Sequence, residues 1–578
     1  MASAVILPLL TAGFAAAQPV VITGGPVNAA SYVLAGLPNA SIAQGSMFIV
    51  FGQNMGPSPL RSATTFPLQA NLAGTSIRAT VGGTNVSAIM LYTSATQVAA
   101  ILPSSTPVGD GTLTLTFSGQ TSNAVPIRVV RNSIGIFTRN SGGSGPGIVQ
   151  NFNSQTDTPL NTLVNAVQPG QVMILWGTGL GPVNGDEAAG PLPAAAPSGV
   201  TVDVFVGGKA ANVVGFGRSG CCAAVDQIAF TVPAGVQGCY VSVAARAGGV
   251  ISNFATIAVT SSGKICSDPT GFSVADLQKV QSGGTLTVAD IGIDRIHPKL
   301  SLPGLGTVEA NVDLASGRFQ SYFSSLDVLA STRGSLGGLE GLPSLGSCVV
   351  YPFSYQDFFS SIAPGSPDPV NKRGVDAGAT LNFTGPNGMQ QLPRQDNGAP
   401  GQPDYRYRVK GDVIGGGIPN VTPVLPDFLV PGSFTVDNGS GGAQIGAFRA
   451  TLTIPSSQPV WTNQDALSNI PRSQDLTVTW SGGASGGLVA VFGTSADPKT
   501  GAGASFECTA PADAGTVTVP AWVLSALPVS GTDPTVGVPV GILSLATTLS
   551  QPARFQATGI DVGFFNWGAL QTKNVIFQ

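Results

Sequence analysis

Short apolar runs of about four to eight residues, rich in β-branched and aromatic side chains, recur along the chain between clusters of Gly, Pro, Asn and Ser. In the first half, Met47 to Phe51, Thr112 to Phe117, Val125 to Val130, Val172 to Trp176, Val202 to Val206 and Tyr240 to Ala244 predict strands. Turn signals every ~8–12 residues between such runs predict β-sandwiches, because βαβ units would need helical periods between the strands. Beyond residue 285, strands are predicted again at Thr307 to Val312, Gly346 to Pro352, Ala379 to Phe383, Ser433 to Val436 and Ala447 to Ile454. Leu476 to Trp480, Leu488 to Phe492, Gly515 to Val519 and Val540 to Leu545 continue the series.

One pattern is written twice. Gly45-Ser-Met-Phe-Ile-Val-Phe-Gly52-Gln-Asn-Met-Gly56-Pro57 returns as Gly170-Gln-Val-Met-Ile-Leu-Trp-Gly177-Thr-Gly-Leu-Gly181-Pro182, and Val81-Gly82-Gly83 returns as Val206-Gly207-Gly208 at the same offset. Later landmarks follow with small insertions: Gln97 to Pro103 against Gln227 to Pro233, and Ser122-Asn123 against Ser252-Asn253. The repeat predicts sister domains over 26–135 and 136–266. A linker at 267–284 is expected to hold one short helix, capped by Ser273 and Asp276. Two β-rich regions, 285–400 and 401–578, are expected beyond it, divided near the Gly- and Pro-rich stretch from Ala363 to Pro403.

Composition narrows the class. Charged residues make up 9% of the chain, against about 25% in ordinary domains. With a net charge of -4 there is no basic surface to collect phosphates, which argues against nucleic acid as a partner. The first seventeen residues join an apolar run to an Ala-x-Ala site and predict a signal peptide cleaved after Ala17, although no Lys or Arg precedes Arg61. No later segment holds about 18 uninterrupted apolar residues, so no membrane span is expected. Six cysteines, Cys221, Cys222, Cys239, Cys266, Cys348 and Cys508, suit an oxidising compartment and permit three disulfides. The crowding of four of them in and after the second repeat suggests that Cys221 and Cys222 each bridge to one of Cys239 and Cys266. Cys348 is then left to Cys508.

Val27-Asn28-Ala29-Ala30-Ser31-Tyr32, Ile42-Ala43-Gln44-Gly45-Ser46 and Gly52-x-x-Met-Gly56-Pro57 resemble a family of Ig-like domains in secreted bacterial proteins. That family is an uncharacterised C-terminal domain abundant in soil acidobacteria and is similar to the IPT/TIG sandwich. The second copy follows the family order more fully, through Gly177 to Pro182, Val206-Gly207-Gly208, Cys221-Cys222-x-x-Val-Asp226-Gln227-Ile228, Val232-Pro233-Ala234-Gly235, Gly238-Cys239 and Ser252-Asn253. The resemblance covers residues 26 to 266, implies a sandwich fold and export, and brings no catalytic residues with it.

Candidate chemistry is sparse. His297 is the single histidine, which excludes HExxH zinc sites and two-histidine mechanisms. Gly483-Ala-Ser485-Gly-Gly487 matches G-x-S-x-G, but its only histidine precedes the serine, contrary to the α/β-hydrolase order, and a hairpin turn explains it more simply. Gly215-Phe-Gly217-Arg-Ser-Gly220 matches G-x-G-x-x-G without the helix that a pyrophosphate needs. No D-x-D-x-D-G run is present, and no catalytic residue, cofactor or metal site is expected. Asp226 is expected to serve a turn or strand end, and the five tryptophans to lie in cores. One surface stands out: Tyr405-Arg406-Tyr407-Arg408-Val409-Lys410 alternates strictly, so a strand would put Tyr405 and Tyr407 on one face and the cations on the other. Tyr405, Arg406, Tyr407 and Arg408 could thus form a platform for a sugar or anionic polymer, or an edge strand charged against aggregation.

The resulting expectation is an all-β, secreted or cell-surface protein: tandem Ig-like β-sandwiches followed by a larger β-rich region. Its expected role is non-catalytic, structural and adhesive, toward an extracellular protein or polysaccharide. A carbohydrate-binding accessory protein and a hydrolase with its site in 285–578 are the alternatives.

Overall fold

The computed structural model describes residues 17–192, 196–266, 273, 275–276, 279, 282, 284–304, 306–322, 343–356, 372–396, 398, 403–417, 425–535, 537–548 and 552–578. Most of the expected signal peptide and most of the linker lie outside these residues. The chain is all-β, as the spacing of its apolar runs predicts.

In the first sandwich, Met47–Gln53 pairs antiparallel with Gln97–Ile101, and Thr75–Val81 pairs with Gly109–Phe117 in a second sheet. Period-two alternation decides which side is inside: Ile77, Ala79 and Val81 face Phe48, Val50 and Val98 across one core. The second sandwich repeats the plan. Val172–Thr178 is the counterpart of Met47–Gln53, pairs with Asp226–Thr231, and sends Met173 and Leu175 into a core with Ile228, Phe230 and Val243. The repeated Val-Gly-Gly is a hairpin turn. Gly82 and Gly83 have φ of 56° and 80°, Gly207 and Gly208 of 56° and 77°, left-handed values at both central positions that glycine adopts without steric cost.

The C-terminal region is organised around one continuous hydrogen-bonded sheet. From the edge strand Cys348–Ser354 it runs through Ala502–Pro511, Leu488–Asp497, Gly541–Thr548, Val562–Asn574, Leu286–Leu302, Val312–Tyr322, Tyr405–Tyr407, Gly388–Asp396, Thr380–Gly385 and Gly432–Asp437 to Arg449–Ile454. At its centre Leu286–Leu302 and Val562–Asn574 lie parallel, Val288 against Val562 through to Lys299 against Lys573. The expected division at 400 falls inside this sheet, because strand pairing joins segments far apart in sequence. Thr307 to Val312 is likewise two strands, Gly306–Glu309 and the start of Val312–Tyr322.

The two longest strands, Leu286–Leu302 and Val562–Asn574, were not expected. Each breaks the period-two signal, with Val288 beside Ala289 and Phe564 beside Phe565 all buried. Both faces are covered there: Val288 and Phe564 enter a small core with Tyr240 and Leu286, while Ala289 and Phe565 enter a larger one with Phe319, Phe383 and Phe434.

The sandwiches are joined by packed contacts. Arg218, 2% exposed, donates to the carbonyls of Gly45 (2.7 Å) and Gly181 (3.1 Å) and pairs with Asp226. Glu187 accepts from the Ser104 backbone N–H and hydroxyl, both at 2.8 Å, so both sandwiches contribute to one buried polar clasp. On its other side the second sandwich stacks Phe205 on Trp522 of the C-terminal region, ring centroids 4.1 Å apart.

Two of the expected disulfide partnerships are corrected. Cys221 bonds to Cys222, and Cys239 to Cys266, while Cys348 bonds to Cys508 as expected. Cys221 and Cys222 occupy the turn before Asp226–Thr231, and Cys239 lies beyond its far end, roughly 20 Å away at about 3.4 Å per residue. Proximity in sequence gave no account of that intervening strand.

Candidate functional site

Tyr405–Tyr407 is an interior strand, not an edge. Tyr407 and Arg406 pair with Gly317 and Arg318 on one side, and all three residues pair with Arg394 to Asp396 on the other. Tyr407 is fully buried, edge-on to Phe319 at 5.4 Å, and its hydroxyl donates to the Gly378 carbonyl (2.8 Å) and accepts from the Ala377 N–H (3.0 Å). Burial pushes that hydroxyl up to about 12. The expected aromatic platform is therefore corrected: one ring belongs to the core, and the other, Tyr405, lies under the Arg394 guanidinium at 4.8 Å. Arg406 pairs with Asp404 at 2.8 Å, and Arg408 donates to Gln395 Oε1 at 3.1 Å. Edge protection is equally ruled out, since sheet neighbours occupy both sides of the strand.

The chemistry of this sheet lies on its other face. Along Leu286–Leu302, Ala289, Ile291 and Ile293 enter the core, so Asp290, Gly292 and Asp294 point the opposite way. Arg318 stands directly across from Asp290 on one neighbouring strand. On the other neighbour, Asn566 stands beside Gly292 and Gly568 beside Asp294. The Asp294 carboxylate leans into the space left by these glycines. A Cβ on Gly568 would come within 2.6 Å of its Oδ1, and one on Gly292 within 3.4 Å of its Oδ2. Asn566, only 4% exposed, donates from Nδ2 to Asp290 Oδ1 at 3.3 Å, while its Oδ1 has no hydrogen-bond partner.

Electrostatics follow from that crowding. Burial, reinforced by the Asp290 charge, pushes the Asp294 carboxyl up to about 7. Burial also raises Asp290, while the Arg318 guanidinium and the Asn566 amide pull it back. Two carboxylates beside a single guanidinium form a centre that can hold a proton or present oxygen ligands. The signal in sequence was the alternation Ala-Asp-Ile-Gly-Ile-Asp over 289–294. The missing piece was Asn566, brought alongside only by the parallel pairing.

The remaining motifs are structural. Ser485 lies between the strands Leu476–Ser481 and Leu488–Asp497, with no strand-to-helix elbow beneath it. It borders a recess of about 240 Å³ lined also by Gln458, Thr547, Thr548 and Trp567. His297 is engaged elsewhere, Nδ1 with Asn311 Oδ1 and Nε2 with Glu309 Oε1, both at 2.9 Å. Gly215 to Gly220 ends a strand and enters a turn. Trp461, Trp480 and Trp567 are buried, and Trp176 and Trp522 are partly buried.

No family model and no curated protein matches the chain. Among solved structures it is similar to the Bacteroides ovatus mixed-linkage glucan utilization locus SGBP-B in complex with a mixed-linkage heptasaccharide, at 11% identity over 84% of both chains and a TM-score of 0.12. Domains 5-6 of the S-layer protein SbsC match at 15% identity over 42% of this chain and 98% of theirs, TM-score 0.15. The fibronectin(III)-like modules of Clostridium thermocellum CbhA match at 11% identity over 39% and 93%, TM-score 0.10. Overlaps this slight bear on neither ligand nor activity.

Proposed function

We propose that this chain is an extracellular, non-catalytic structural and binding protein of the adhesion type, with residues 26–266 as two copies of the secreted bacterial Ig-like family. The observation that carries this reading is the buried clasp of Arg218, Asp226 and Glu187, which fastens the first sandwich to the second through Gly45 and Ser104. Stacking of Phe205 on Trp522 then fastens the second sandwich to the C-terminal region. Joints of this kind hold a binding surface at a set distance from its support. Three disulfides, one joining segments 160 residues apart, suit an oxidising exterior. Among the described residues no helix is long and apolar enough to cross a membrane. The partner is an extracellular protein or polysaccharide.

The test pairs small-angle scattering of the chain from Gln18 with arrays of polysaccharides and extracellular proteins and a panel of glycosidase and esterase substrates. Scattering of a rigid particle, with saturable binding and no turnover, is the expected result. Turnover, or scattering of independently tumbling domains, would overturn the reading. A second reading, recognition of a polysaccharide, is favoured by the recess beside Ser485 and Thr548, whose lining joins hydroxyls and the Gln458 side chain to Pro455, Pro459 and Trp567. Glycan binding lost on Ser485→Trp, which fills the recess from an exposed turn, would select it.

A further inference from the structure

We propose that Asp290, Asp294 and Asn566 form a binding site for a hard divalent cation, calcium by its chemistry, on the polar face of the C-terminal sheet. The donor set is all oxygen: the carboxylates of Asp290 and Asp294, two residues either side of Gly292 on one strand, and the carbonyl of Asn566, which stands beside Gly292 on the parallel neighbour and turns its Nδ2 toward Asp290. Oxygen-only donors with room for water suit calcium, which takes 6–8 oxygen ligands in flexible geometry. Thiolate and imidazole, the ligands of softer metals, do not contribute.

Three independent features point to an ion at this place. Asn566 is buried with its Oδ1 unpartnered, in a setting where an unmade hydrogen bond costs about 1–3 kcal/mol. Gly292 and Gly568 leave the floor bare where the Asp294 carboxylate lies, and a side chain on Gly568 would fill that space. Arg318 stands across from Asp290, whereas the register neighbours of Asp294 are Leu314 and Gly568, neither of them a cation. A divalent ion between the carboxylates neutralises the excess charge and accepts the Asn566 oxygen in one step. With three protein ligands and a guanidinium nearby, the affinity belongs to the weak class of extracellular modules, about 10⁻⁴–10⁻³ M. The site lacks the D-x-D-x-D-G spacing sought in sequence because its ligands come from two strands instead of one loop.

The experiment titrates calcium into the full chain, stripped beforehand with a chelator, and follows the thermal unfolding midpoint and the heat of binding. Asp294→Asn and Asn566→Asp are measured beside the wild type. Calcium is expected to raise the wild-type midpoint with saturation in the millimolar range. Asp294→Asn should weaken binding by at least about tenfold. Asn566→Asp supplies a third carboxylate, so it should be less stable without calcium and bind calcium more tightly than the wild type. A purely structural Asn566 would give the loss without the gain. No response of the wild type up to about 10 mM calcium overturns the site and leaves a proton-holding acid pair, and an equal response in wild type and both variants places the ion elsewhere. Should Asp294→Asn fail to fold, the sign of the Asn566→Asp change decides by itself.

Discussion

Arg218 and Asp226 face each other as register partners on neighbouring strands, and the Asp226 carboxylate, 0% exposed, accepts from the Arg218 guanidinium while receiving the N–H groups of Gly179 (2.7 Å) and Leu180 (2.8 Å). Burial pushes this carboxyl up, and the guanidinium with the two N–H groups pulls it back. Arg218 donates from Nη2 to the carbonyls of Gly45 and Gly181, while its Nε is buried without a partner, so the pair closes the second sandwich and grips the first. Removing one member leaves the other charged and buried. Arg218→Met and Asp226→Asn should each cost about 3–5 kcal/mol in urea unfolding. Arg218→Met should also loosen the joint between the sandwiches, read as a broader scattering profile.

The disulfides should divide by what they close. Cys348–Cys508 joins directly opposed residues of the edge strand and its neighbour across 160 positions, so Cys348→Ala/Cys508→Ala should lose about 2–5 kcal/mol. Cys221–Cys222 closes no intervening chain, and Cys221→Ser/Cys222→Ser should change stability by less than about 1 kcal/mol. Denaturant unfolding of both double variants checks the contrast.

Tyr407 is a core residue with a polar tip. Tyr407→Phe keeps the ring against Phe319 but removes the bonds to Gly378 and Ala377, and should cost about 1–3 kcal/mol with ligand binding unchanged. Loss of binding without loss of stability would restore Tyr407 as a contact residue.

The acid pair sets a pH dependence in calcium-free buffer. Asp294 sits at about 7 in the folded chain, above the ordinary carboxylate value near 3.9, so folding favours the protonated form. Its contribution to stability is fully present below pH of about 4, declines as pH rises, and is exhausted above about 7. Asp290 on the same strand, Ser316 and Arg318 on the antiparallel neighbour and Asn566 on the parallel neighbour are polar residues on the same face. Asp294→Asn should flatten stability between pH 4 and 7 and raise it at neutral pH, measured by thermal unfolding across that range.

The sequence by itself determined the sandwich class and the repeat. Alternation along Thr75–Val81, and the paired glycines after it and after Val202–Val206, are local properties, set by strand geometry and allowed φ values. The Cys348–Cys508 pairing was legible in part because it was the remainder after the crowded four. Local pattern could not place Tyr407, since alternation names a face but not what covers it. It hid the starts of Leu286–Leu302 and Val562–Asn574, where Val288 beside Ala289 and Phe564 beside Phe565 are buried on both faces and the period-two signal is lost. Only the tertiary structure set Asn566 beside Asp290 and Asp294 and turned Asp226 into a joint between domains. Both depend on pairing segments that are distant in the chain, and nothing in the spacing of residues along one strand encodes which strand becomes its neighbour.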